Sequence, residues 1–440
     1  MAMHYPIVAK PYRFVPPHAG RLWPALLRPA VPLLAWLYVG VRRVEIRGLE
    51  HLSESLAAGH GLMLCPNHPR RGDPLLVSRL SAAAGRPFHY MAAWYLFERL
   101  GTVSRWALRR CGAFSVHREA LDREALKTAT RILAAGGRPL VVFPEGVVTR
   151  LNDRVCTLLD GPAFIARAAA RQRAQTTPAG RVVVHPVALK YYFRGDPHAA
   201  AERILEDLER RLTWRSQRHR PLVERVYLVS RAVMALKEIE LFGSTQEGTL
   251  PRRIAHYIDA LLRPLEVEWL GGAIGGSVAE RVKRLRGAIT PDLIAGELGD
   301  AERARRWGHL SDIHTAQAAS FYPGDYVASR PTADRILETL ERFEEDTAGR
   351  CRVLRPFDAV LEVGAPLTVA PERAGRPGGE DPLTAQLQGR IQAMLDRLLG
   401  PPIAPPVGAP TGNTAAGEMA EPNPVVQPSA APSVVPGRGS

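Results

Sequence analysis

Two short runs carry the residue types that acid–base chemistry needs. The first is Asn67-His68-Pro69-Arg70-Arg71-Gly72-Asp73, and the second is Phe143-Pro144-Glu145-Gly146. In the first run an aspartate follows a histidine after five positions, across a turn containing proline and glycine. That spacing lets the Asp73 carboxylate meet one imidazole nitrogen of His68, fixing the tautomer and leaving the other nitrogen to take a proton. The pair is the base-and-orienter half of a catalytic triad, without a serine or cysteine nucleophile beside it. In the second run Glu145 places a carboxylate after an apolar stretch, and Gly146 permits close approach of backbone to a ligand. Each run alone also fits a plain turn with a capping or solvated acid.

The surrounding elements place both runs at ends of strands. Gly61 to Cys65 is an apolar run closed by Pro66, the pattern of a buried strand. Asp73 and Pro74 then open a helix that runs to about Ala84. Pro139 to Phe143 reads as a second buried strand, following a helix from Asp122 to Ala135 that Gly136-Gly137 stops. Short strands at Val44–Arg47 and Phe114–Val116, a helix at Gly161–Arg173 and an apolar strand at Val182–Leu189 complete the alternation. Such alternation predicts an α/β fold, and ligands in α/β sheets bind at the carboxyl ends of strands, where His68 and Glu145 fall. Residues 196–355 change texture to helical periodicity, and strand patterns return at Asp358–Val363 and Leu367–Val369 before a helix at Pro382–Leu399. The expected organisation is an N-terminal membrane-interacting segment at 1–41 and a first catalytic part at 42–195. A helical insertion at 196–355 and a closing strand and helix at 356–399 follow. The Pro-, Ala-, Gly- and Ser-rich tail at 400–440 is expected to be disordered.

Between the two runs lies Gly112-Ala113-Phe114-Ser115-Val116-His117-Arg118, and Val184-His185-Pro186-Val187-Ala188-Leu189 follows them. This order of four blocks resembles the lysophospholipid acyltransferase family, which includes the 1-acylglycerol-3-phosphate acyltransferases. The resemblance covers about residues 42–195 and resumes near Leu361–Leu367. It implies a mixed sheet flanked by helices and an O-acyl transfer in phospholipid biosynthesis. His68 would be the general base, oriented by Asp73. Arg118 would contact phosphate, and Glu145 with Gly146 would bind the acceptor. The donor would be acyl-CoA or acyl-carrier protein, and no cofactor is needed because the thioester carries the activated group. Three positions depart from the family pattern: Val148 stands at its third-block arginine with Arg150 two residues on, Arg70 stands where serine is common, and His117 replaces an aspartate. Arg70, Arg71, Arg118 and Arg150 together are expected to cradle a phosphate-bearing acceptor.

Bulk properties narrow the partners. A formal charge of +14 and a pI near 10.1 favour anionic lipid, a phosphorylated small molecule or nucleic acid. The sequence offers no helix-turn-helix, stacking or zinc pattern for nucleic acid, so that partner is not expected. The four cysteines stand singly, as in a reducing compartment, and no histidine recurs at metal-ligand spacing, so no metal site is expected. Trp23 to Val41 is apolar but interrupted by Arg28 and by Pro24, Pro29 and Pro32, which fits an interfacial or re-entrant anchor best and a buried core helix as the alternative. The resemblance implies the cytoplasmic face of the cell membrane, because acyl thioesters are made there. His185 reads as a satisfied core histidine. The glycine run at 271–276 reads as a break between helices, and Arg281, Lys283, Arg284 and Arg286 as a solvated basic face. The competing reading is an inactive acyltransferase scaffold that binds membranes.

Overall fold

The computed structural model describes residues 10–118, 122–176, 180–212, 215–296, 298–322, 324–349, 351–373 and 381–403. The expectation for the tail therefore lies, from residue 404 onward, outside the described residues. Eight strands are found among the described residues: β1 (Val41–Arg47), β2 (Gly61–Pro66), β3 (His89–Ala93), β4 (Ala113–Val116), β5 (Leu140–Val141), β6 (Val182–Phe193), β7 (Phe357–Val363) and β8 (Leu367–Thr368). They form one sheet in the order β1-β7-β6-β2-β5-β3-β4, with β8 also on β6. The β6–β7 and β6–β8 pairs are antiparallel and the other pairs parallel, so the sheet is mixed, as expected.

The first half of the chain supplies helices α1 (Leu22–Leu27), α2 (Val31–Val39), α3 (Leu49–Ala57), α4 (Asp73–Ala83), α5 (Tyr95–Arg99), α6 (Thr102–Arg110), α7 (Arg123–Ala135) and α8 (Gly161–Thr176). Alternation along each central strand sorts side chains to two cores. Leu62, Leu64, Val187, Leu189 and Tyr191 join the core under α2 and α4, while Met63, Cys65, Val184 and Ala188 join the core under α7 and α8. Helices on both faces explain why every residue of β2 is buried and why its sequence is uniformly apolar. The strand expected at 139–143 pairs only over Leu140–Val141, although the Val142 amide still donates to the Leu64 carbonyl at 3.0 Å. Strand β3 was not foreseen; it is short, and Tyr90 to Ala93 are half-buried on both faces, so no inside–outside alternation marks it.

Between β6 and β7 the chain is helical: α9 (Pro197–Arg211), α10 (Leu222–Phe242), α11 (Leu250–Leu270), α12 (Val278–Ala295), α13 (Asp300–Ala319), α14 (Tyr326–Ser329) and α15 (Ala333–Ala348). Helices α11 to α13 close a core of their own around Leu262, Leu285 and Ile313. Helices α9, α10 and α15 instead share the core of the sheet, through Ile204, Val226 and Leu340. The glycine run at 271–276 links α11 to α12 as expected, with Gly271 in the left-handed conformation that ends α11. The basic cluster on α12 is solvated only in part: Lys283 and Arg284 are exposed, whereas Arg281 is pulled inward by Glu266 and Asp259 at 2.5 and 2.6 Å, and Arg286 is buried. Helix α16 (Pro382–Arg397) closes the fold against β6 and α8.

At the N-terminus, Leu22–Val39 is the single helical run among the described residues long and apolar enough to cross a membrane by length and composition. A 3-10 turn at Arg28–Ala30 divides it, and its three prolines fall in the first turns of α1, the 3-10 turn and α2, where a missing N–H is tolerated.

Candidate active site

Strands β2 and β5 run parallel, so the chain leaves both at the same edge of the sheet, while β6, parallel to β2, continues past the last β2 partner, Val187, to Phe193. Beyond Pro66 strand β2 stops pairing, and side-chain amides continue its ladder. Asn67 Nδ2 donates to the Leu189 carbonyl at 3.0 Å and its Oδ1 accepts from the Leu189 amide at 2.7 Å. Asn152 does the same to Tyr191, accepting at 2.8 Å and donating at 2.8 Å. A buried strand edge would otherwise leave these backbone groups unpaired.

His68 follows immediately. Its Nδ1 lies 2.7 Å from Asp73 Oδ2, and its ring stacks on Phe143 with centroids 4.1 Å apart. The Asp73 side chain is fully buried at the first position of α4, while His68 keeps 15% of its side-chain surface exposed. Asp73 Oδ2 also accepts from the Arg70 amide at 2.9 Å, and Oδ1 accepts from the Tyr191 hydroxyl. With Nδ1 donating to a buried carboxylate, the imidazole is held in the tautomer whose Nε2 can accept a proton. Among the described residues Nε2 has no hydrogen-bond partner.

Glu145 sits beneath this pair rather than beside an open cleft. Its Oε1 accepts from the His68 amide at 2.7 Å and its Oε2 from the Cys156 amide at 3.0 Å. Burial pushes its carboxyl up to about 7; the two amide bonds oppose that shift, and the charge of Asp73 adds to it. Gly146 is left-handed, at a φ of 67°, and a Cβ there would lie 2.6 Å from Leu159. Arg118 reaches this turn, donating to the Gly146 carbonyl with its guanidinium 5.3 Å from the Tyr95 ring. The Cys156 thiol is pushed far above its ordinary range by burial and by Glu145, which favours the thiol over the thiolate.

The remaining three arginines converge elsewhere. Arg70, half-buried, pairs with Glu341 at 3.1 Å and lies over the Phe357 ring at 4.4 Å. Arg150, in a left-handed conformation at a φ of 62°, pairs with Glu345 at 3.0 Å, and the more exposed Arg71 pairs with Glu345 at 2.7 Å. Both glutamates belong to α15, so these cations meet carboxylates of the helical insertion, while Arg118 donates to the Gly146 carbonyl. Sequence reasoning did not single out Tyr191, Asn152, Glu338, Glu341 or Glu345. A tyrosine and a lysine side by side in an otherwise apolar strand, Lys190-Tyr191, was the available signal. Lys190 is buried on Asp153 and Asp334, and His185 is satisfied by Gly364 and Ser55, at 2.9 and 3.0 Å. No group of three or more His, Cys, Asp or Glu among the described residues has metal-binding geometry.

Residues 43–190 match the family model described as Acyltransferase, a stretch that runs from β1 into β6 and contains His68, Asp73, Arg118 and Glu145. No curated protein matches the chain. The match supports a general acyltransferase function for this stretch, and the sheet around it is consistent with an acyltransferase fold.

Proposed function

We propose that the protein moves a fatty acyl group from acyl-CoA or acyl-carrier protein to a hydroxyl of a lipid acceptor, with His68 as general base. The observation that carries this reading is the 2.7 Å contact of His68 Nδ1 with buried Asp73, which leaves Nε2 to take the hydroxyl proton. The acceptor oxygen then attacks the thioester carbonyl, the C–S bond breaks, and the proton held on Nε2 passes to the leaving thiolate. Asp73 offsets the imidazolium charge while it lasts. No acyl-enzyme is required.

The acceptor class favoured by the four blocks is a lysophospholipid such as 1-acylglycerol 3-phosphate. Its phosphate would fall first to Arg118, which stands on the Glu145–Gly146 turn, because Arg70 and Arg150 are held on Glu341 and Glu345. Membrane docking on the cytoplasmic side fits the same reading, since acyl thioesters are made there and α1–α2 expose Leu22, Leu26, Leu33 and Leu37.

The test is transfer from radiolabelled acyl-CoA and acyl-carrier protein to a panel of lipid acceptors, comparing wild type with His68→Ala. Wild type should label a lipid, and His68→Ala should lower the rate by about 10²–10⁴-fold. If wild type labels no acceptor from either donor yet still binds liposomes, the inactive-scaffold reading replaces this one.

A further inference from the structure

We infer that Tyr191 is a positioning residue of the His68–Asp73 pair, and that the helical insertion holds it in place. The inference rests on the general-base reading of His68. Asp73 has two carboxylate oxygens and no solvent. Oδ2 is occupied by His68 Nδ1 and the Arg70 amide, and Oδ1 by the Tyr191 hydroxyl. Without that hydroxyl, Oδ1 would be a buried anionic oxygen with no donor among these contacts. The carboxylate would rotate or take up a proton, and either change removes its hold on the imidazole tautomer. Burial and the Asp73 charge push the Tyr191 phenol far above its ordinary range, so it remains a donor throughout the working pH range.

The tyrosine is itself fixed from three sides. Its ring meets the Phe357 ring edge-on at 6.3 Å, and the Arg70 guanidinium lies 5.3 Å from its centroid. Its backbone is bound in both directions by Asn152, whose own amide donates to Glu338 Oε2 of α15 at 3.0 Å. A continuous chain of contacts therefore runs Glu338, Asn152, Tyr191, Asp73, His68, from the insertion to the base. The insertion is then a structural part of the catalytic apparatus.

Tyr191→Phe removes one oxygen atom from this chain. We expect kcat to fall about 10- to 100-fold, the range for a lost hydrogen bond to a charged group, with KM for both substrates within about twofold of wild type. Asn152→Ala keeps the hydroxyl but frees the strand, and should lower kcat in the same sense by a smaller factor. A second readout does not need turnover: ¹⁵N NMR of the His68 imidazole should show the Nδ1–H tautomer in wild type and a tautomer mixture in Tyr191→Phe. If Tyr191→Phe keeps wild-type kcat, or if its only effects are a lower melting temperature and a higher KM, Tyr191 is packing alone and the inference fails. If wild type turns over no substrate, the acyl-transfer reading fails by itself, and an unchanged tautomer in the variant still overturns the positioning role.

Discussion

Single residues in this protein acquire their roles from partners that lie far away in the chain. Glu145, expected to bind the acceptor, accepts one backbone amide on each oxygen, those of His68 and Cys156. It ties the strand-end turn of β5 to the turn that carries the base. Glu145→Gln tests this directly, because glutamine offers one accepting oxygen where two amides donate, and turns an NH₂ group on the other. We expect a loss of about 1–3 kcal/mol in denaturant unfolding, the cost of an unsatisfied buried group, together with a lower kcat. Unchanged stability and activity would mean that the turn does not depend on this carboxylate. His68 and Asp73 were legible as a pair because their contact is local, five residues apart. The destination of Arg70 was not legible, since Glu341 lies 271 positions downstream and nothing in the spacing of either residue announces the other.

Secondary-structure elements were read more completely than their assembly. The helix opened by Asp73-Pro74, the glycine-stopped α7 and the apolar β6 announced themselves through caps, breakers and periodicity. Helix α15 falls in the stretch expected to be helical, 196–355, but was not foreseen as the element that covers the site. One of its faces presents Glu338, Glu341 and Glu345 to the site loops, charges that amphipathic periodicity alone reads as solvated. Enclosure has an electrostatic consequence. Burial, helped by Asp153, pushes Glu338 up to about 8, against an ordinary value of 4.5. The folded state thus binds this proton more tightly than the unfolded chain does. The stabilisation is fully present below the unfolded value and is lost as pH rises from about 4.5 to about 8. The wild-type melting temperature, minus that of Glu338→Gln, should therefore decline across that window and level off above it. Glutamine stays neutral throughout, so the difference isolates this one group from others that titrate nearby. A difference that rises with pH would show that Glu338 is held as the anion instead.

At the scale of the whole molecule, charge and apolar surface coincide at one end. The formal charge is +14 over the full chain. Helices α1 and α2 expose leucines and, at their end, Tyr38 at 71%, while α6 exposes Val103 at 79%. Trp23 of α1 meets Trp106 of α6 edge-to-face with centroids 4.5 Å apart, so the two exposed surfaces are continuous. Arg105, Arg109 and Arg110 line a cleft of about 380 Å³ with Trp106 and His18 beside them. The apolar half of this surface was visible in the sequence as the run from Trp23 to Val41. The contribution of α6 was not, because it exists only once α1 folds back on it. Apolar side chains ringed by arginines suit the headgroup boundary of an anionic bilayer. Leu33→Asp combined with Val103→Asp should reduce partitioning onto vesicles containing phosphatidylglycerol by at least about tenfold, given roughly 1.5–3 kcal/mol for each buried aliphatic side chain. Binding of the wild type should weaken as salt is raised. Cosedimentation measures both effects, and transfer to a detergent-dispersed acceptor should survive the double substitution, because neither residue contacts His68 or Asp73. If the variant partitions like wild type, docking runs through another face, and α1, α2 and α6 must be covered by something other than lipid.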